Sequence, residues 1–181
     1  HQHGVYGMAV LTLLTVQNTQ TVEAVEILRP EFVLAQLDAV LADIPPHAAK
    51  TGGLGSAAVI EGIARRAEGF GFPLIVDPVM ISKHGAALID SDAVETLITK
   101  LLPHTYLVTP NLHEAAALAA MEVVDEASMA RACAAISRLG PKHVLVKGGH
   151  LKDEALDLLW SEGEIYRLPS DHLDTLNTHG T

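Results

Sequence analysis

The residues most able to do chemistry lie in short polar clusters, each placed after an aliphatic run. The clearest are Lys50-Thr51-Gly52-Gly53, Asp77-Pro78-Val79, Thr109-Pro110-Asn111 and Lys147-Gly148-Gly149-His150. Gln17-Asn18-Thr19 precedes them and Asn177-Thr178-His179-Gly180-Thr181 closes the chain. Lys147 places an ammonium beside two flexible amides, which suits phosphate oxygens, although a lysine leaving a strand is commonly just solvated. Asn111 with Glu114 also has two readings. It is the layout of a capping box, or it is a carboxylate reaching over a rim to hold a cation through water.

A further pattern, Gly53-Leu54-Gly55-Ser56-Ala57-Ala58, fits G-x-G-x-x-A, with Asp77 ending the next strand where a dinucleotide site keeps its ribose carboxylate. The structural alternative is a tight turn with Ser56 as N-cap, and spacing alone leaves both open. Other motifs are absent: no Walker A sequence, His-Glu-x-x-His, Cys-x-x-Cys or Gly-x-Ser-x-Gly occurs. The ten histidines show no ligand spacing, which argues against structural zinc. The single cysteine, Cys133, sits among alanines in a helical stretch and reads as a buried, inert thiol.

Such clusters need a frame that brings them together. Aliphatic runs bounded by Gly, Pro, Asn or Asp read as strands buried on both faces, and helical stretches separate them. A helix end and a first strand are expected within Val5–Val16, and a second strand at Thr21–Leu28. Pro30 then opens a helix with Val33, Leu34, Leu37, Val40, Leu41 and Ile44 on one face. Strands follow at His47–Lys50, Leu74–Asp77, Tyr106–Thr109 and His143–Lys147. The intervening helices run from Ser56 to near Phe70, from the Asp90-Ser91-Asp92 cluster to about Leu102, over Leu112–Met121 and over Glu126–Leu139. Leu156–Trp160 and Ile165–Leu168 read as a hairpin across Ser161-Glu162-Gly163-Glu164. Strand–helix alternation implies a three-layer α/β/α fold with a mostly parallel central sheet and an antiparallel hairpin near the C-terminal end. Ligands then bind beyond the carboxyl ends of the strands, where the polar clusters fall.

In this order the segments resemble the hydroxymethylpyrimidine/phosphomethylpyrimidine kinases of thiamine biosynthesis, which have the ribokinase-like fold. The resemblance is carried by Gly4-Val5-Tyr6-Gly7, Thr15-Val16-Gln17-Asn18-Thr19, Ala49-Lys50-Thr51-Gly52, Val76-Asp77-Pro78-Val79-Met80 and Ser82-Lys83-His84-Gly85. It continues through Thr109 to Ala115, Val146-Lys147-Gly148-Gly149-His150 and Asn177 to Thr181. It implies phosphoryl transfer from ATP with Mg2+ to 4-amino-5-hydroxymethyl-2-methylpyrimidine and then to its monophosphate. By that likeness Gln17, Gly53 and Val79 would meet the pyrimidine. Asp77, Asn111, Glu114, Lys147, Gly149 and Thr181 would serve the nucleotide, with Asp77 and Glu114 toward the metal. Lys147, Gly180 and Thr181 would act at the transferring phosphoryl. Gly53 stands where the family often has a larger apolar residue.

The resemblance also implies a homodimer, and a single kinase domain over residues 1–181 that lacks the family's opening strand and glycine-rich loop and its anion-hole helix. A piece so cut is expected not to turn over substrate by itself. Rival readings are a pyridoxal-type kinase, an NAD-dependent oxidoreductase built on Gly53, Gly55 and Asp77, and a binding-only domain.

Composition limits the partners. The 181 residues are 49% hydrophobic and 19% charged, as a packed globular chain requires. A formal charge of -10 repels nucleic acid, and no apolar run is long enough to span a membrane. One cysteine fits a reducing, cytoplasmic compartment.

Overall fold

The computed structural model describes residues 3–18, 20–80, 91–149 and 155–170. Its first elements are two strands, β1 (Leu13–Gln17) and β2 (Val22–Ile27), and a helix, α1 (Pro30–Asp43). Next come β3 (Ala49–Thr51), α2 (Ala57–Ala67), β4 (Leu74–Val76) and α3 (Ser91–Thr96). A π-helical turn at Leu97–Leu101 and a 3₁₀ turn at Leu102–His104 extend α3. The chain continues as β5 (Leu107–Val108), α4 (Leu112–Ala119), α5 (Glu126–Ser137), β6 (His143–Val146), β7 (Ala155–Ser161) and β8 (Glu164–Ser170).

Local chemistry accounts for these boundaries. Pro30 starts α1 where its missing N–H is no loss. Ser56 caps α2 by accepting from the Val59 N–H, while Asn111 and Asp125 head α4 and α5 with full capping boxes. The β7–β8 turn places Glu162 and Gly163 at positive φ, as a two-residue hairpin turn matching strand twist requires.

Among the described residues the main sheet has six strands in the order β3-β4-β5-β6-β7-β8. The strands β3 to β6 are parallel, and β7 and β8 add antiparallel pairs at one edge. Alternating residues divide its faces. Leu74, Val76, Val108, Val144, Val146, Leu156 and Leu158 are buried in one core cluster with Ile60 of α2 and Met129 and Ile136 of α5. Ile75, Leu107, Leu145 and Leu159 on the other face are only half-buried, so the expected burial on both faces holds for one.

Three expectations need correction. Residues 5–12 contain no helix end. The Gln36 side chain of α1 holds this segment instead, its Oε1 accepting from the Leu11 N–H at 3.2 Å and its Nε2 donating to the Leu11 carbonyl at 3.1 Å. That amide satisfies backbone groups that a helix would have paired internally. The strand β1 is also not part of the main sheet: it pairs antiparallel with β2 in a separate two-stranded ribbon. Gln17 therefore does not follow a strand of the main sheet, as the strand–helix argument assumed. The helix expected up to Leu102 is α-helical only to Thr96, and Asp90 of its acidic start lies outside the described residues.

Candidate active site

The carboxyl ends of β3, β4, β5 and β6 form one rim, joined by backbone hydrogen bonds beyond the strands themselves. The Asp77 N–H donates to the Thr51 carbonyl at 3.3 Å, Thr109 to Val76 at 2.9 Å and Lys147 to Pro110 at 2.8 Å. Asn111 and Lys147 make an isolated parallel bridge. Polar clusters far apart in sequence thus share one edge, as the parallel topology demands.

Asp77 is the centre of this rim. Lys50 Nζ lies 2.9 Å from its Oδ2 and Lys147 Nζ lies 3.3 Å from its Oδ1. The two ammoniums arrive from strands on opposite sides of β4, and the Asp77 side chain between them is 17% exposed. Lys50 was legible as part of a polar cluster, but nothing in its spacing gave it a partner. Asp157 is a second residue that sequence reasoning missed: its Oδ1 accepts from the Gly148 N–H at 2.8 Å. It lies on β7, beyond the apparent motif, and only strand pairing brings it to the loop after β6.

Glu114 is buried, at 6% exposure. Its Oε2 accepts from the Asn111 N–H and Asn111 Oδ1 accepts from the Glu114 N–H, both at 2.9 Å, so the capping reading is realised. Capping does not exhaust the residue. Burial pushes its carboxyl above the ordinary glutamate value, opposed by the Asn111 N–H, the Lys147 charge and a hydrogen bond from the Met80 backbone, while the Asp77 charge adds to the rise. Glu114 therefore feels both Asp77 and Lys147.

The remaining expected residues fall around this centre. Val79 is half-buried, and its N–H donates to the Asp77 carbonyl at 2.9 Å across the buried Pro78. The Gly53 carbonyl accepts from Thr12 Oγ1 at 2.6 Å, and a methyl added at Gly53 would lie 3.3 Å from Leu13 Cδ2. The β1 ribbon thus touches the β3 end of the rim even though Gln17 itself is exposed. Gly148 is buried and Gly149 open. Thr19, Ser82-Lys83-His84-Gly85, His150 and Asn177 to Thr181, including Gly180, lie outside the described residues.

The glycine pattern at residues 53–58 resolves as the structural alternative. Gly55 has φ +77 and faces Ile27, and Ser56 caps α2. Asp77, where a dinucleotide fold keeps its ribose ligand, is held by lysines. A cavity of about 620 Å³ beneath the N-terminal segment reaches Lys50 and Gly53 but is otherwise walled mostly by apolar residues of that segment and of α1, with Phe70 and Phe72. Asp77, Glu114 and Lys147 do not line it, so these three charges lie on the rim outside the cavity.

The donor set suits a cation and phosphates together. Two carboxylates fit a hard cation that keeps most of its water, and two ammoniums fit phosphate oxygens. The buried Thr51 and Thr109 hydroxyls have no partner among the described residues, which leaves hydrogen-bonding capacity beside Asp77. Among the described residues no three His, Cys, Asp or Glu side chains converge as a protein-only metal centre.

The fold is ribokinase-like. The crystal structure of a phosphomethylpyrimidine kinase from Clostridium difficile superposes with a TM-score of 0.84 at 41% identity, over 94% of this chain and 74% of that one. An ADP complex of Bacillus subtilis pyridoxal kinase superposes with a TM-score of 0.86 at 30% identity, over 97% of this chain and 67% of that one.

The family model described as phosphomethylpyrimidine kinase matches residues 1–181. A hydroxymethylpyrimidine/phosphomethylpyrimidine kinase of Rhizobium meliloti is 47% identical over 180 residues, 98% of this chain and 68% of that protein. The Streptomyces coelicolor protein of the same name is 45% identical over 178 residues, 98% of this chain and 66% of that protein. The chain belongs to the phosphomethylpyrimidine kinase family, a family of phosphotransferases. It spans about two thirds of the length of these curated relatives.

Proposed function

We propose that the protein carrying this chain transfers phosphoryl groups from ATP, with Mg2+, to 4-amino-5-hydroxymethyl-2-methylpyrimidine and then to its monophosphate. The observation that carries the reading is the Asp77 carboxylate held between Lys50 and Lys147 at the carboxyl rim, with Glu114 beside them. MgATP supplies the transferable phosphoryl group.

The chain's own contribution is positioning and charge neutralisation, which phosphoryl transfer chiefly needs. Asp77 and Glu114 would hold the cation, Glu114 through water because its carboxylate already accepts backbone hydrogen bonds. Lys147 would face phosphate oxygens, with Asn111 and Gly149 beside it. Gln17, Gly53 and Val79 would border the pyrimidine at the β3 and β4 side of the rim. The roles of Gly180 and Thr181 at the transferring phosphoryl rest on the sequence motif alone.

The reading extends to assembly and place. Leu14, Val16 and Ile27 leave apolar side chains exposed on the β1–β2 ribbon, which supports pairing of two copies there. Light scattering on the purified protein tests that. No described helix is long and apolar enough to cross a membrane. The cytoplasmic location rests on cysteine usage alone.

The decisive assay follows ADP formation by the full-length chain with hydroxymethylpyrimidine, its monophosphate and pyridoxal as separate acceptors. The proposal expects both pyrimidines to be phosphorylated with the higher kcat/KM. Preference for pyridoxal would replace it with the vitamin-kinase alternative that the Bacillus subtilis pyridoxal kinase likeness supports.

A further inference from the structure

We propose that Lys50 receives the phosphate already carried by a phosphomethyl acceptor, and so decides how well the second of the two acceptors is used. The inference rests on the proposed function and adds to it a residue whose loss affects the two acceptors unequally.

Position comes first. Lys50 and Lys147 grip the same carboxylate from opposite sides, Lys50 from β3 and Lys147 from just past β6. The residues placed against the pyrimidine ring, Gly53 and Val79, belong to the loops after β3 and β4, on the Lys50 side. Asn111 and Gly149, placed against the nucleotide, belong to the Lys147 side. Each ammonium therefore serves a different substrate. The Lys50 side chain is 59% exposed, so its bond to Asp77 is one that solvent and ions weaken. Exchanging that partner for a ligand phosphate costs little, and a cation bound at Asp77 would favour the exchange.

The chemistry of the two acceptors gives Lys50 its task. An alcohol brings no charge and must lose its proton as the new O–P bond forms. A phosphate monoester has a second pKa of about 6, so at neutral pH its attacking oxygen is largely unprotonated. The new O–P bond forms from that oxygen's lone pair as the bond to the departing ADP breaks, and ADP leaves with the electron pair. The obstacle in this second transfer is the approach of two anions, which an ammonium on the acceptor side relieves.

The test is steady-state kinetics of the full-length chain with each pyrimidine, comparing the unsubstituted enzyme with Lys50→Met and Lys50→Arg. Loss of one charge-assisted hydrogen bond to phosphate corresponds to about tenfold to a hundredfold. Lys50→Met should therefore lower kcat/KM for the monophosphate by that factor relative to its effect on the alcohol, mainly through KM. Lys50→Arg should restore most of it. An equal loss for both acceptors would assign Lys50 to holding Asp77 and overturn the inference, as would no loss for either. An unsubstituted enzyme that phosphorylates neither pyrimidine would instead bring down the proposed function itself. The Lys50 side chain is mostly exposed, so both variants should fold as the parent does, and their melting temperatures check it.

Discussion

The backbone N–H of Gly148 donates to Asp157 Oδ1 at 2.8 Å, joining the loop after β6 to the strand that returns beside it. The loop that carries Lys147 is thereby fixed from β7. In Asp157→Ala the N–H of buried Gly148 loses its acceptor, at a cost of about 1–3 kcal/mol. We expect a lower melting temperature together with a raised KM for ATP. Asp157→Asn, which keeps an acceptor oxygen, should recover most of both.

Gly148 is constrained from a second direction. A methyl added there would lie 1.9 Å from the Leu156 carbonyl oxygen, and backbone does not move aside as a flexible side chain can. Gly148→Ala should destabilise the fold by roughly 1–3 kcal/mol or more, as overpacking does. Gly149→Ala meets nothing within 4 Å and should be nearly neutral in stability. Urea unfolding of the two variants side by side measures the contrast.

Asp77→Asn removes the charge that both lysines share. Because Lys50 is mostly exposed, the stability change should stay within about 1 kcal/mol. Loss of a central electrostatic group should lower kcat/KM for phosphoryl transfer by roughly a hundredfold or more. A variant that melts like the parent yet barely turns over is the expected pair of results.

Glu114 gives a pH dependence of definite sign. Burial raises its folded pKa above the ordinary 4.5, so the folded state binds this proton more tightly than the unfolded chain. Stability from this group is fully present below the unfolded value and is lost as pH rises through the folded one. Glu114→Gln has no such proton. Its stability relative to the parent should improve as pH rises above 4.5 and then level off once the folded pKa is passed. Denaturant unfolding across that range, both proteins in the same buffers, reads the difference directly.

Cys133 is buried in α5 with its thiol pushed up to about 11 by burial. A neutral, covered thiol is a poor nucleophile. An aromatic disulfide reagent should leave the native protein unlabelled over minutes and react fully once urea unfolds it.

Much of this fold could be read from local signals. Pro30, Ser56, Asn111 and Asp125 each begin a helix through hydrogen-bond needs that span a few residues, and Glu162-Gly163 names its own turn. Parallel topology alone brings the Asp77, Asn111 and Lys147 loops to one edge. The β1–β2 ribbon was not, because an aliphatic strand carries no label saying which sheet it joins. The run from Val5 misled for a related reason: apolar residues there lie largely exposed, Tyr6 at 69%, so hydrophobicity did not report burial. Lys50 and Asp157 act through partners 27 and 9 residues away, and contacts of that kind have no periodic trace.

The strand order of the main sheet has a consequence for how the chain assembles. From β3 to β8, neighbours in space are also neighbours in sequence. Among the described residues, no strand of this sheet has to be threaded between two that are already paired. A polypeptide emerging from the ribosome can lay down each strand against the one just finished, closing one modest loop at a time. The β7–β8 hairpin, with the shortest loop of all, is the fastest of these steps. On this view Asp157 arrives with that hairpin, so the Lys147 loop is drawn into place only when the growing edge reaches β7.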